Sequence, residues 1–444
     1  MSIKLSDHFG YKKLIKFTLP TVAMMIVTSI YSVVDGFFVS NFAGKTPFAA
    51  INLIMPVLMI LGTVGFMFGT GGTALVAMTY GEGNKEKANS YFSLLVYTAF
   101  LLGIIFAVLG FVFIRPIAVL LGAEGALLEN CVLYSRIILL ALPLYILQMM
   151  FQSFFVAAEK PNLGLIVTIS SGATNMILDA VLVISLPQEY KLAGAAAATA
   201  ISQTVGGIIP LFYFFRKNSS FLRLGKTQFN GKAIIKACAN GSSEFMSNIS
   251  MSVVGMLYNS QLMKFAGENG IAAYGVMMYV SMIFAAVFVG YSVGTAPVVS
   301  YHFGAGNSPE LKGLLKKSLI IIAVFGVGMV AAAELTAAPL SKFFVGYDKE
   351  LYELTASGFR IFAISFLFMG FGIFISGFFT ALNDGATSAI VSFLRSLVFQ
   401  SVAVMLLPAI FKIDGIWISV VVAELAALAV GFAFLIAKKK KYNY

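Results

Sequence analysis

Residues 81–84 read Gly-Glu-Gly-Asn and residues 304–307 read Gly-Ala-Gly-Asn, so the motif Gly-x-Gly-Asn returns at an offset of 223. Each copy closes a long apolar run, at 48–78 and 271–301. Other matches keep nearly the same spacing. Phe42-Ala43-Gly44 recurs as Phe265-Ala266-Gly267, Arg136-Ile137 as Arg360-Ile361, and Phe154-Phe155-x-Ala157 as Phe378-Phe379-x-Ala381. Separate matches near one offset mark an internal duplication. Each repeat holds six apolar runs, an even number, so the two copies share one orientation.

Composition identifies the class. Of 444 residues, 59% are hydrophobic and 11% charged, with a mean hydropathy of +0.92. Soluble domains carry about a quarter charged residues. These figures exclude a cytosolic enzyme, a disordered chain and a secreted disulfide scaffold. The 41 glycines suit helices that pack closely in lipid. Runs long enough to cross a bilayer occur at 14–40, 48–78, 91–114, 131–158, 163–186, 193–215, 237–264, 271–301, 315–338, 352–381, 386–411 and 415–437. A backbone in hydrocarbon must satisfy its own hydrogen bonds, so each run reads as a helix. The expected fold class is an all-α polytopic membrane protein, with twelve transmembrane helices in two pseudo-symmetric six-helix lobes. The lobes would span 1–215 and 237–444, joined by a basic linker at 216–236 and ending in a basic tail.

The net charge of +11 reflects where 30 Lys and Arg sit. The amino terminus, the even-numbered loops and the carboxyl tail hold 20 of them, and the opposite loops hold seven. That bias places both termini of a multi-pass membrane protein in the cytoplasm. The basic patches face anionic lipid, so membrane lipids are expected partners and nucleic acid is not. A monomer is expected. Cys131 and Cys238 fall near opposite faces and form no disulfide. His8 and His302 both lie in cytoplasmic segments, which leaves no histidine for an intramembrane relay or metal site.

Few ionisable groups lie within the runs, and each carries a cost of roughly 2.5–3.5 kcal/mol on insertion scales. Asp35 and Asp179 both fall about 28 Å from the cytoplasmic ends of their helices, and Thr199 about 12 Å from the outer end of its own. Asn175 and Asp179 are spaced i, i+4 and share a helix face. Asp35, Asn175, Asp179 and Thr199 therefore reach one level in the outer half of the first lobe, as candidate cation-coupling residues. Oxygen ligands of this kind suit a hard cation such as Na+, and paired carboxylates suit a shared proton. The bland alternative is that these side chains only cap or bridge helices, which weighs more for Asn175 and Thr199 than for the carboxylates.

The second lobe differs, because Phe399 and Ala403 stand at the positions matching Asn175 and Asp179. Glu424 follows Gly415 by nine residues as Gln203 follows Gly194. Arg395, the one arginine deep in a span, is expected to pair with Glu424 or Glu244. Gln203, Glu424, Arg395 and Tyr31 are candidate substrate or coupling residues. Glu244 and Glu334 read as half-solvated. Most of the 20 methionines read as packing and a minority as cavity lining for apolar ligands. No cofactor is expected beyond Na+ or H+ as coupling ion. An intramembrane enzyme would need a nucleophile with a base, or paired metal ligands, and the spans offer neither.

Several stretches together resemble a known family. They are Pro20, Tyr31-Ser-Val-Val-Asp35-Gly-Phe-Phe38-Val39 and Ala43-Gly44, then Asn175-Met-Ile-Leu-Asp179, then Gly194-Ala-Ala-Ala-Ala-Thr199-Ala-Ile-Ser202-Gln203. In this order they resemble the multidrug and toxic compound extrusion (MATE) family, nearest its DinF-type prokaryotic branch, over nearly the whole chain. The resemblance implies alternating access and export of cationic or amphipathic compounds, driven by Na+ or H+ entry. It implies that Asp35, Asn175, Asp179 and Thr199 form the cation site and that Pro20 is a candidate for bending helix 1. The family often has Pro after the helix-5 Asp, where this chain has Ala180, so helix 5 is expected to be less kinked. Tyr258 and Asn259 occupy the stretch of helix 7 where some relatives carry an acid. The alternative within the same superfamily is a flippase for lipid-linked precursors, which would favour a strongly basic cavity.

Overall fold

The computed structural model describes residues 3–444, less the side chains of Ser32, Val33, Phe37, Ser40 and Asn41. In the first half, helix 1 is Tyr11–Phe38, helix 2 Lys45–Gly81, helix 3 Lys85–Leu120, helix 4 Gly125–Ala157, helix 5 Pro161–Ser185 and helix 6 Lys191–Phe215. Gly231–Gly304 is one hydrogen-bonded run of 74 residues, but Gly267 (φ 59°, ψ −146°) divides it into helix 7, 231–266, and helix 8, 268–304. Helix 9 is Ser308–Val345. Helix 10 consists of Lys349–Ala363 and Phe366–Ala381, bent by 48° between them. Lys412 (φ 54°, ψ −130°) separates helix 11, 385–411, from helix 12, 413–442. Divided at these points, the described residues form twelve apolar helices, an all-α membrane protein in two six-helix lobes.

The repeated motifs have separate structural jobs. The glycines ending the two Phe-Ala-Gly copies, Gly44 (φ 105°) and Gly267, take left-handed backbone where the chain reverses. Gly83 and Gly306 do the same after helices 2 and 8. The asparagines that follow cap the next helices. Asn84 accepts from the Lys87 backbone N–H at 3.0 Å, and Asn307 from that of Glu310 at 3.2 Å.

Gly81 and Gly304 bring the lobes together. A Cβ on Gly81 would overlap the Tyr301 carbonyl, and one on Gly304 would overlap the Met78 carbonyl. The contact is reciprocal, since 78 and 81 match 301 and 304 at the repeat offset. Deeper in, Gly71 of helix 2 lies against Gly241 of helix 7, and Gly294 of helix 8 against Thr18 of helix 1. These positions match at the same offset. Close approach of backbones needs such small residues in lipid. All these contacts lie in the half of the bundle that carries the termini, so the lobes are closed on that side.

The amino-terminal segment reinforces the closure, while the carboxyl tail folds back on its own lobe. Glu159 Oε1, at the helix 4–5 turn, accepts from the Leu5 N–H at 2.8 Å, while Glu310 Oε1 on helix 9 accepts from the Phe9 N–H at 2.9 Å. Leu5 and Phe9 are fully buried. The residues 3–10 thus tie one lobe to the other. Asp384, which caps helix 11, accepts from Tyr442 Oη at 2.7 Å and Lys438 Nζ at 3.3 Å.

The linker is shorter than the 216–236 read from the sequence. Helix 7 starts at Gly231 because Asn230 caps it, accepting from the Ala233 N–H at 3.1 Å. Lys232 and Lys236 therefore belong to its first turns, where long basic side chains keep their heads in water. The non-helical part lies across helix 3, with Asn89 Nδ2 donating to the Phe221 carbonyl at 2.8 Å and Phe221 stacked on Tyr80 at 3.8 Å.

Candidate cation site in the first lobe

Helices 1, 4, 5 and 6 each send one or more polar groups to the same place. Helix 5 runs unbroken from Pro161 to Ser185, so Asn175 and Asp179 stay on one face. Both are buried. On helix 6, Gly194 lies against Leu182 of helix 5 and Leu186 just beyond it, which draws the two helices close. Asn175 Nδ2 donates to Thr199 Oγ1 at 3.5 Å, a long contact that leaves room between the helices. Helix 1 supplies Asp35, and the polar side chains facing its carboxyl are those of Asp179, Thr199 and Asn175. Tyr31, one turn earlier, lies on Gly172 of helix 5, where a Cβ would sit 3.0 Å from its ring. A π-helical turn, Val39–Ala43, directly follows helix 1.

Several acceptor oxygens of the site have no donor. Asp35 Oδ1, Asn175 Oδ1 and both carboxyl oxygens of Asp179 are buried with no hydrogen-bond partner among the described residues. Buried acceptors ordinarily find a partner, because leaving one unpaired costs about 1–3 kcal/mol, and more when it is charged. Four such oxygens on three side chains form a set with unused capacity for a positive charge.

Two copies of one family profile fit the chain. The MatE profile matches residues 20–181 and again residues 245–406, each covering most of one repeat. The chain belongs to the MatE family. The multidrug export protein MepA of Staphylococcus haemolyticus is 27% identical over 415 residues, covering 93% of this chain and 90% of that one. MepA of Staphylococcus aureus strain MRSA252 is 26% identical over 424 residues, covering 94% and 92%. Among solved structures, a MATE family multidrug resistance transporter of the MOP superfamily in an outward-facing conformation superposes with a TM-score of 0.92. It is 22% identical, and the match covers 98% of this chain and 97% of that one.

In this MatE chain one polar neighbour of the site escaped the sequence reading. Tyr134 of helix 4 is buried beside Thr199, with Asp35 and Asp179 nearby. Depth would have revealed it. Tyr134 lies nine residues into helix 4 and Thr199 eight into helix 6, about 12–14 Å from the same face.

The remaining candidates lie elsewhere. Gln203 lies one turn beyond Thr199 on helix 6, and its Oε1 is buried with no hydrogen-bond partner among the described residues. Arg395 and Glu424 sit in the second lobe and form a two-pronged ion pair, Nε–Oε2 at 2.8 Å and Nη2–Oε1 at 3.0 Å. Of the two partners expected for Arg395, the structure selects Glu424. Glu244 remains half-buried. Glu334 pairs loosely with Arg360 at 3.9 Å, both well exposed.

Proposed function

We propose that this protein is a secondary active antiporter. It exports cationic or amphipathic drugs and toxic organic compounds, driven by inward movement of Na+ or H+ through the first-lobe carboxylate site. The observation that carries this reading is the group of partnerless oxygens on Asp35, Asn175 and Asp179. Two buried carboxylates that face each other repel when both are charged. A bound Na+ or a shared proton relieves that repulsion.

Helix 1 links the site to the conformational change. Asp35 lies in its outer half, while Thr18 and Val22 in its other half pack on Gly294 and Gly290 of helix 8. Filling the site draws Asp35 towards helices 5 and 6 and shifts helix 1 against the second lobe. The two lobes then rock about the helix 2–helix 8 contact, in a monomer surrounded by lipid. The bias of 20 to seven basic residues makes the face carrying the termini cytoplasmic. Closure on that face makes the present state outward-facing. The MepA relatives, multidrug export proteins by name, support the substrate class. Against a flippase, Glu424 pairs with Arg395, which removes that buried arginine as a partner for a pyrophosphate.

The test is Asp35→Asn in whole cells loaded with a fluorescent cation. The variant is expected to reach wild-type levels in the membrane and to lose energised efflux. Full efflux by that variant would overturn the assignment.

A further inference from the structure

A second polar feature lies deeper in the first lobe, towards the face with the termini. A cavity of about 10 Å³ is lined by Gln148, Gln152, Phe155, Gly164, Thr168 and Pro210, among others. That is about the room one water molecule needs. Gln152 is only 3% exposed, yet neither its Oε1 nor its Nε2 has a hydrogen-bond partner among the described residues. Gln148 Oε1 is likewise buried and unpaired. A buried primary amide with both ends unsatisfied is costly, and a polar cavity beside it is where ordered water resolves the cost.

This cavity is joined to the carboxylate site by polar contacts. Gln148 Nε2 donates to Ser171 Oγ at 3.0 Å, and Ser171 Oγ donates to the Ser202 carbonyl at 2.7 Å. Ser202 Oγ donates to the Thr199 carbonyl at 2.9 Å, and Thr199 Oγ1 accepts from Asn175. Thr168, Ser171, Asn175 and Asp179 follow one side of helix 5 over about 16 Å. Gly164, at the far end of the cavity, is three residues from the start of helix 5.

The second lobe shows the contrast. At offset 224, Gln148, Gln152 and Ser171 become Gly372, Ser376 and Arg395. Gly372 makes room for the Arg395 side chain, which pairs with Glu424. Ser376 Oγ is satisfied by Ser388 Oγ at 2.9 Å. The second lobe fills this place with a closed ion pair, while the first keeps unpaired amides around a cavity.

We propose that Gln148, Gln152 and Thr168 hold ordered water, and that this hydrated file is the route by which the coupling ion leaves the carboxylate site towards the termini-side face, inside the first lobe rather than between the lobes. The route rests on the reading of Asp35 and Asp179 as the coupling site, whereas the water site does not.

Two measurements on the full-length protein in lipid nanodiscs and proteoliposomes test it. Hydroxyl-radical footprinting oxidises buried side chains next to bound water. Phe155 lines the cavity, and its repeat mate Phe379 is equally buried in the second lobe. Phe155 is expected to be oxidised well above Phe379 in the wild type, and to fall to the level of Phe379 in Gln152→Leu. Equal labelling of the two in the wild type would overturn the water site. Substrate-driven ion flux is expected to fall roughly tenfold in Gln152→Leu, the scale of losing one hydrogen-bonded step, and to recover in Gln152→Glu. Wild-type flux in Gln152→Leu, with its labelling lost, would overturn the route. If Gln152→Leu does not fold, Thr168→Val takes its place with the same expectations. Failure of the coupling site itself reads out separately, as undiminished flux in Asp35→Asn.

Discussion

Replacing Arg395 with Met leaves Glu424 without its partner in the interior of the second lobe. The Glu424 side chain is 3% exposed and both its oxygens are engaged by the guanidinium. Breaking a buried pair by removing one member costs about 3–5 kcal/mol, because the remaining charge keeps its desolvation penalty and loses its compensation. A folding unit of some 150–250 residues shifts its Tm by about 2–4 °C per kcal/mol, so Arg395→Met is expected to lower it by roughly 6–20 °C. Replacing both members with apolar groups of similar volume is often neutral or stabilising. Arg395→Met with Glu424→Leu is therefore expected to regain most of the loss and to keep transport. The assay is the fraction of protein remaining monodisperse in detergent after heating, read against temperature for the wild type, both singles and the double. A double variant as unstable as Arg395→Met would refute the pair as a self-contained structural unit. A stable double that no longer transports would assign the pair to substrate or coupling instead.

Three further perturbations address other parts of the structure. Gly304→Leu drives a side chain into the Met78 carbonyl, so spin labels at Lys87 and Lys312 are expected to show a population at longer separation; an unchanged distribution would remove the glycine contact as the closure point. Burial tends to raise the Asp384 carboxyl, but hydrogen bonds from Tyr442, Thr387 and Lys438 outweigh it and hold the group below the ordinary carboxylate range. Its stabilisation is thus present above that range and lost as pH falls through the depressed value. Hydrogen exchange in 438–444 should then rise only below about pH 4 in the wild type, and already at pH 7 in Asp384→Asn. Exchange that rises in the wild type near neutral pH would contradict the sign. Tyr134→Phe removes the hydroxyl beside Thr199 and is expected to weaken the concentration dependence on the coupling ion by up to about tenfold, the value of one hydrogen bond. An unchanged dependence would place Tyr134 outside the site.

The twelve helices were legible because hydrocarbon leaves a spanning chain little choice but helix, and the runs are long. Their separation at Gly267 and Lys412 is less evident in the backbone, where each pair is joined by one residue in an unusual conformation. The duplicated Gly-x-Gly-Asn was visible as text, but its physical reason was not. Nothing in the sequence says that Gly81 and Gly304 meet the other lobe. Asp35, Asn175, Asp179 and Thr199 were brought to one level by depth alone, since an ionisable group in a span is rare enough to notice. Tyr134 and Gln152 were missed because a lone phenol or amide in an apolar helix is common. Each acquires meaning only from its neighbours: Thr199 in one case, and an absence of donors and acceptors in the other. The linker was overextended because charge marks an aqueous interface better than it marks the first turn of a helix.

The central claim is that an ion gradient acts through the first-lobe carboxylates. Purified protein in proteoliposomes, given an imposed Na+ gradient or an imposed H+ gradient separately, tests it most directly. Wild-type protein is expected to accelerate movement of a fluorescent cationic drug under one of the two gradients, and Asp179→Asn to show no acceleration under the same gradient. Acceleration at the wild-type rate in Asp179→Asn, or none in the wild type under either gradient, would contradict it.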